Sequence, residues 1–320
     1  MRNPAIGALR GSITAIATPF RDGRIDEGAV VALVERQIRG GTAGLVVAGS
    51  TGEAAMLSIS EHARLVRLVV AVAAGRIPVI AGCTASATDM ACGLAVAACR
   101  SGADTLLLAP PPYVKPTQEG IIRHVRAVGR AAELPVVLYD VPSRVGVAIA
   151  DETVAHLHNG SHIAAIKDAT GDLDRPLRLR RLCGAELAQF SGEDLQAVQH
   201  RARGGVGCIS VSANVAPALC ARMHNRWDAS DAIEVERIGS ILAPLHAALF
   251  MESNPIPLKA ALAMLSLCRE TVRAPLTPAS DATRQALRAA LASVMPMEAA
   301  AESDYLGAVS LRRLHLRLVG

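Results

Sequence analysis

The chain has 320 residues, 51% of them hydrophobic, and carries 33 Lys+Arg against 29 Asp+Glu for a formal net charge of +4. That balance excludes a disordered polyampholyte and a disulfide-stapled miniature, and it gives a nucleic-acid groove or a membrane-surface patch nothing to rest on. No uninterrupted apolar run reaches the about 18–20 residues that span a bilayer, and residues 1–10 lack the basic-then-apolar layout of a secretory signal, so a cytoplasmic protein is expected.

In chain order, apolar runs of strand length fall at 13–17, 44–48, 78–82, 105–109, 135–139, 163–166, 188–191 and 206–211. Between them apolar residues recur at three- and four-residue spacing, as in Val30, Val31, Leu33, Val34 and Ile38, then His62, Leu65, Val66 and Val69, which predicts amphipathic helices. The strand runs are nearly all apolar rather than alternating, as expected of parallel strands covered on both faces. Eight strand–helix repeats predict an α/β protein, a (β/α)8 TIM barrel. A doubly wound sheet would carry a glycine-rich phosphate loop after its first strand, but residues 18–23 read TPFRDG.

After residue 211 the strand signal stops, and helices are predicted at 214–227, 231–250, 257–267 and 281–295. The expected organisation is a catalytic barrel over 1–228, a C-terminal helical region over 229–295 and a tail over 296–320, for which a further helix and an irregular end both fit.

The seven cysteines (83, 92, 99, 183, 208, 220 and 268) are odd in number, scattered through apolar segments and without a C-x-x-C pair, which suits reduced thiols. His156 and His158 have no acidic or cysteine partner nearby, so no metal is inferred.

A barrel of this kind places its active site at the carboxyl ends of the strands. Only three lysines are present, Lys115, Lys167 and Lys259, and only Lys167 follows a buried strand run. Burial disfavours the ammonium and leaves a neutral amine able to form an imine with a ketone, although an ion pair with Asp168 or a glutamate fits the same position. Gly49, Ser50, Thr51 and Gly52 end the second run with free backbone N–H groups and two hydroxyls suited to a carboxylate. Tyr139 ends the fifth run, and Arg144, just beyond Pro142, can fork onto a carboxylate.

Taken together, the segments PPYVKPTQEG (111–120), LYDVPSR (138–144), IKDATG (166–171), SGED (191–194), ISVSANVA (209–216) and NPIP (254–257) resemble the dihydrodipicolinate synthase family, pyruvate-dependent class I aldolases related to N-acetylneuraminate lyase. The resemblance runs over about 11–294. It implies condensation of pyruvate with L-aspartate 4-semialdehyde without a metal or organic cofactor, in a homodimer or homotetramer. Lys167 would carry the Schiff base and Tyr139 would donate and accept protons, in a relay with Ser50 and with Tyr113 lent by a neighbouring subunit. Thr51 and Ile209 would hold the pyruvate carboxylate, Arg144 would bind the carboxylate of the aldehyde, and Gly192 would line the pocket.

The family usually has threonine at Ser50, asparagine at Asp140 and a second tyrosine at Pro112, so Asp140 would add a charge beside the catalytic phenol. Two other readings share the barrel: a pyruvate aldolase or dehydratase acting on a sugar acid or hydroxy-oxo-acid, and a paralogue that keeps the fold without turnover.

Overall fold

The computed structural model describes the backbone of residues 9–319 and side chains through residue 307. The expectation of no secretory signal rests on residues 1–10, of which 1–8 lie outside those described, as do the side chains of most of the leucine- and arginine-rich end.

Eight parallel strands close a barrel: β1 (Gly11–Ala15), β4 (Gly44–Val47), β5 (Val79–Gly82), β6 (Thr105–Leu108), β7 (Val136–Asp140), β8 (Ala165–Asp168), β9 (Ala188–Ser191) and β10 (Gly207–Ser210), with β10 pairing back onto β1. The two-residue strands β2 (Phe20–Arg21) and β3 (Arg24–Ile25) form an antiparallel hairpin after β1. The predicted barrel is what the chain adopts, and every residue of the eight barrel strands is buried. Successive side chains on a strand point to opposite faces. Ile13, Val46, Ile80, Leu107, Val137, Phe190 and Ile209 therefore fill the lumen. Leu45, Val47, Leu106, Leu108, Leu138 and Ile166 pack outward against the helices.

The helical layer comprises α1 (Glu27–Arg39), α2 (Ile59–Ala73), α3 (Thr88–Arg100), α4 (Gln118–Ala132), the one-turn α5 (Pro142–Val145), α6 (Asp151–Asn159), α7 (Arg175–Cys183), α8 (Ala197–Ala202) and α9 (Pro217–Asp228). Beyond it lie α10 (Ala232–Leu249), α11 (Ile256–Met264) and α12 (Asp281–Val319). Local chemistry sets the starts: Ser58 and Glu61 form a capping box on α2, and Asp26 and Thr117 accept from the backbone N–H groups of Ala29 and Gly120. Among the described residues no helix is long and apolar enough to cross a membrane.

Two strands differ in place from their apolar runs. β1 begins two residues earlier than the run at 13–17, because its first residues, Gly11 and Ser12, carry no large apolar side chain; Thr14 within it donates through Oγ1 to Gln37 Oε1 (2.7 Å) from α1. β8 ends later than the run at 163–166, because its last two residues are the charged Lys167 and Asp168.

The C-terminal segment is helical throughout: α12 passes Pro296 and continues to Val319. It is held to the barrel by Glu298, which is 1% exposed and accepts from the backbone N–H groups of Ala218 and Leu219, both at 2.9 Å. Those are unsatisfied donors of the first turn of α9, whose first residue, Pro217, has none. Tyr305 lies over Gly41, where a Cβ would come within 2.8 Å of its ring.

Candidate active site

Lys167 and Tyr139 are neighbours by strand register, since β7 pairs with β8 with Tyr139 opposite Lys167. Both point into the lumen at the carboxyl end of the barrel, and Lys167 Nζ stands 4.3 Å from the centroid of the tyrosine ring. Lys167 is 5% exposed. Asp168 is not its partner, because the next residue on a strand faces the other way: its carboxylate accepts from Thr170 and lies 3.6 Å from Arg175. Gly192 provides the room. A Cβ there would stand 3.2 Å from Lys167 Cε and 2.7 Å from the Ala169 side chain, so any larger residue would press on the amine.

The other two lysines are committed elsewhere or open to solvent. Lys259 is fully buried on α11, paired with Glu53 at 3.0 Å and donating to the Thr271 carbonyl at 2.8 Å. Burial pushes its pKa down against the pull of Glu53. Lys115 is exposed in the loop after β6.

The loop after β4 turns sharply, with Ala48 at φ 51° and Glu53 at φ 57°. Gly82 lets it pass, since a Cβ there would fall 2.0 Å from the Ala48 carbonyl oxygen. Thr51 is buried, and its Oγ1 accepts from Asn254 Nδ2 at 2.9 Å. The Asn254 carbonyl in turn accepts from Arg144 Nη2 at 3.0 Å, which ties α5 to the segment before α11.

These groups surround one cavity of about 190 Å³, lined by Ser50, Thr51, Tyr139, Arg144, Lys167, Gly192, Glu193 and Asn254. It adjoins a second of about 270 Å³ that shares Ser50, Tyr139, Arg144 and Asn254. A larger groove of about 800 Å³ runs between α9 and α10, lined by Leu195, Trp227 and Val235, but contains no lysine or tyrosine. Among the described residues no three His, Cys, Asp or Glu side chains are grouped to hold a metal ion.

Six of the eight residues singled out from the sequence therefore line one cavity. The Ile209 side chain is instead fully buried in the lumen, and Val211 takes the place beside the cavity. Tyr113 lies outside the pocket of its own chain, 92% exposed, at φ 75°.

The model of the dihydrodipicolinate synthetase family matches residues 8–294. The chain belongs to that family. It is 49% identical over 283 residues to a 4-hydroxy-tetrahydrodipicolinate synthase from Rhodospirillum centenum, covering 88% of this chain and 97% of that protein. Among solved structures it is similar to the 4-hydroxy-tetrahydrodipicolinate synthase of Methylacidiphilum fumariolicum SolV, with a TM-score of 0.89, 35% identity and coverage of 92% and 99%. It is also similar to a chloride-inhibited dihydrodipicolinate synthase from Acinetobacter baumannii complexed with pyruvate, with a TM-score of 0.87, 41% identity and coverage of 90% and 99%.

Against the usual dihydrodipicolinate synthase pattern, Asp140 does not add a charge beside the phenol. It follows Tyr139 on β7 and so faces outward, where it is fully buried, accepts from the Ile149 N–H at 3.1 Å and pairs with Arg175 Nη1 at 2.6 Å. Arg175 also donates to Asp151 at 2.9 Å and to the Ile149 carbonyl at 2.7 Å. Burial opposes the guanidinium charge, but Asp168 and Asp140 outweigh it and hold its pKa above the usual value.

A second anchor of this synthase-type mouth also has no counterpart in the sequence reading. Asp194 accepts from the backbone N–H of Val211 (2.9 Å) and of Ser212 (3.0 Å), from Ser212 Oγ (3.1 Å) and from Ser210 Oγ. It thereby joins the loop after β9, which carries Gly192 and Glu193, to the end of β10.

Proposed function

We propose that this chain condenses pyruvate with L-aspartate 4-semialdehyde to give 4-hydroxy-tetrahydrodipicolinate, the committed step towards diaminopimelate and lysine, as a class I lyase. The observation that carries the reading is the buried Lys167 amine, in register with Tyr139 and facing a cavity rimmed by Arg144.

In the proposed mechanism Lys167 Nζ attacks the keto carbon of pyruvate, water leaves, and an imine forms. The imine acidifies the methyl group, and its proton passes to the relay of Tyr139, Ser50 and a Tyr113 from a neighbouring copy. The enamine carbon then bonds to the aldehyde carbon, and the relay returns a proton to the aldehyde oxygen. The α-ammonium of the second substrate gives up a proton, and the free amine displaces Lys167 from the imine, closing the ring and freeing the lysine. Thr51 and the backbone near Ile209 hold the pyruvate carboxylate, and Arg144 holds that of the semialdehyde. Tyr113, exposed and outside the pocket of its own chain, is available to a neighbouring copy, which supports a homodimer or homotetramer.

Borohydride reduction in the presence of pyruvate, followed by peptide mapping, tests the reading. An adduct on Lys167 together with turnover of L-aspartate 4-semialdehyde is expected. An adduct on Lys115 or Lys259, or none, would overturn the Schiff-base mechanism. An adduct without use of the semialdehyde would move the chain to another pyruvate aldolase or dehydratase.

A further inference from the structure

Among the described residues two carboxylates line the cavity of Lys167: Glu252, which accepts from Ser280 and Thr283, and Glu193, which has no task. It follows Gly192 at the end of β9 and is half-buried. Its backbone is fixed by Ser191, whose Oγ accepts from the Glu193 N–H at 3.1 Å and donates to the Glu193 carbonyl at 2.8 Å. Among the described residues its carboxylate has neither a hydrogen bond nor an ion pair, in contrast to Asp140, Asp168 and Asp194, each of which is tied into the scaffold. Burial raises its pKa, while Lys167 and then Arg144 pull it down, so the carboxylate stands within electrostatic reach of both cations of the site. A half-buried carboxylate without a protein partner, facing a cavity, is left to be completed by a cation in the ligand.

The aldehyde partner in the proposed reaction carries both a carboxylate and an α-ammonium. Arg144 serves the first of these groups. Nothing assigned so far serves the second, and an ammonium brought unpaired into a cavity of about 190 Å³ would lose water without replacement.

Resting on that reading of the function, we propose that Glu193 receives the α-ammonium of the semialdehyde, so that Arg144 and Glu193 together select an α-amino-acid aldehyde over aldehydes that bear only the carboxylate. This makes Glu193 a specificity residue: sugar acids and simple oxo-acids offer it no cation.

The test compares wild type with Glu193→Gln, which keeps the shape and removes the charge. Two probes are used: L-aspartate 4-semialdehyde as substrate, and succinate semialdehyde, which lacks the amine, as a competitive ligand. Loss of one charge-assisted contact should lower kcat/KM for L-aspartate 4-semialdehyde by roughly 10- to 100-fold, while the inhibition constant of succinate semialdehyde shifts by less than about 3-fold and borohydride trapping with pyruvate is retained. Glu193→Asp, with the charge kept on a shorter arm, should recover part of the loss. Equal weakening of both semialdehydes would overturn the proposal, and so would a trapping defect that accounts for the lost turnover, since Glu193 would then serve Lys167 rather than the substrate amine. If wild type traps pyruvate but turns over no L-aspartate 4-semialdehyde, the functional reading fails and the ammonium subsite falls with it.

Discussion

The two faces of β7 and β8 make opposite use of polar residues that adjoin one another in sequence. On the lumen face, Tyr139 and Lys167 meet across the strand pair, and neither the phenol nor the amine has a hydrogen-bonding partner among the described residues. One residue further along each strand, Asp140 and Asp168 face the helices and close on Arg175, which is 3% exposed. The same division follows β9, where Glu193 is open to the cavity and Asp194 is bound by the end of β10. The difference teaches that a polar strand-end residue in this barrel is open to the cavity or tied into the scaffold according to the face it occupies. A buried group tied to the scaffold by an ion pair or hydrogen bonds stiffens the mouth, while one without a protein partner is left open to a ligand.

The comparison breaks most readily at Arg175. Arg175→Met should leave Asp140 and Asp168 without their cation, Asp151 keeping Arg178, and destabilise the fold by about 3–5 kcal/mol, read as a fall in the denaturant midpoint. Combining it with Asp140→Asn should return part of that loss. A single-variant loss below about 1 kcal/mol, the scale of a surface pair, would mean that the outer face does not brace the mouth.

A smaller effect is expected at Asp194. Asp194→Asn exchanges a charged acceptor for a neutral one at the end of β10 and should lower stability by about 1–2 kcal/mol. It should also raise KM for pyruvate more than it lowers kcat, because the backbone proposed to hold the pyruvate carboxylate shifts while Lys167 and Tyr139 stay in register. A fall in kcat alone would separate β10 from substrate holding.

The smallest effect belongs to Asp140→Asn, the residue usual in the family. Arg175 keeps Asp151 and Asp168 in this variant, so stability should change by no more than about 1 kcal/mol. The pH profile of imine formation should be unchanged. A shifted profile would show that the Asp140 charge reaches the phenol across the strand, and the distinction between the faces would be lost.

The barrel was legible because eight buried strands leave eight apolar runs, and Lys167, Tyr139, Ser50, Thr51, Arg144 and Gly192 were legible because strand ends are where such a barrel gathers chemistry. The outward turn of Asp140 was also present in the two-residue period of a strand, but the unusual residue type drew attention before its direction did. Arg175 was not legible. It shares one helix with Arg178, Arg180 and Arg181, and only the fold shows which arginine enters the interior. Asp194 likewise resembles a solvated loop acid until β10 lies against it. Periodicity also fades at Pro296, and what holds the helix beyond it is a contact with residues about eighty positions earlier in the chain, which no local pattern reports.

That contact also orders events in time. The start of α9 is capped by Glu298, a separation of 80 residues, and the match to the family ends before Glu298, at residue 294. At a synthesis rate of about 5–20 residues per second, roughly 4–16 s separate the making of Ala218 from the making of the carboxylate that completes its helix. For that interval the last β/α unit of the barrel exists with its first turn open. Capping of α9 is therefore tied to the synthesis of α12, so that the last β/α unit closes only once Glu298 has been made.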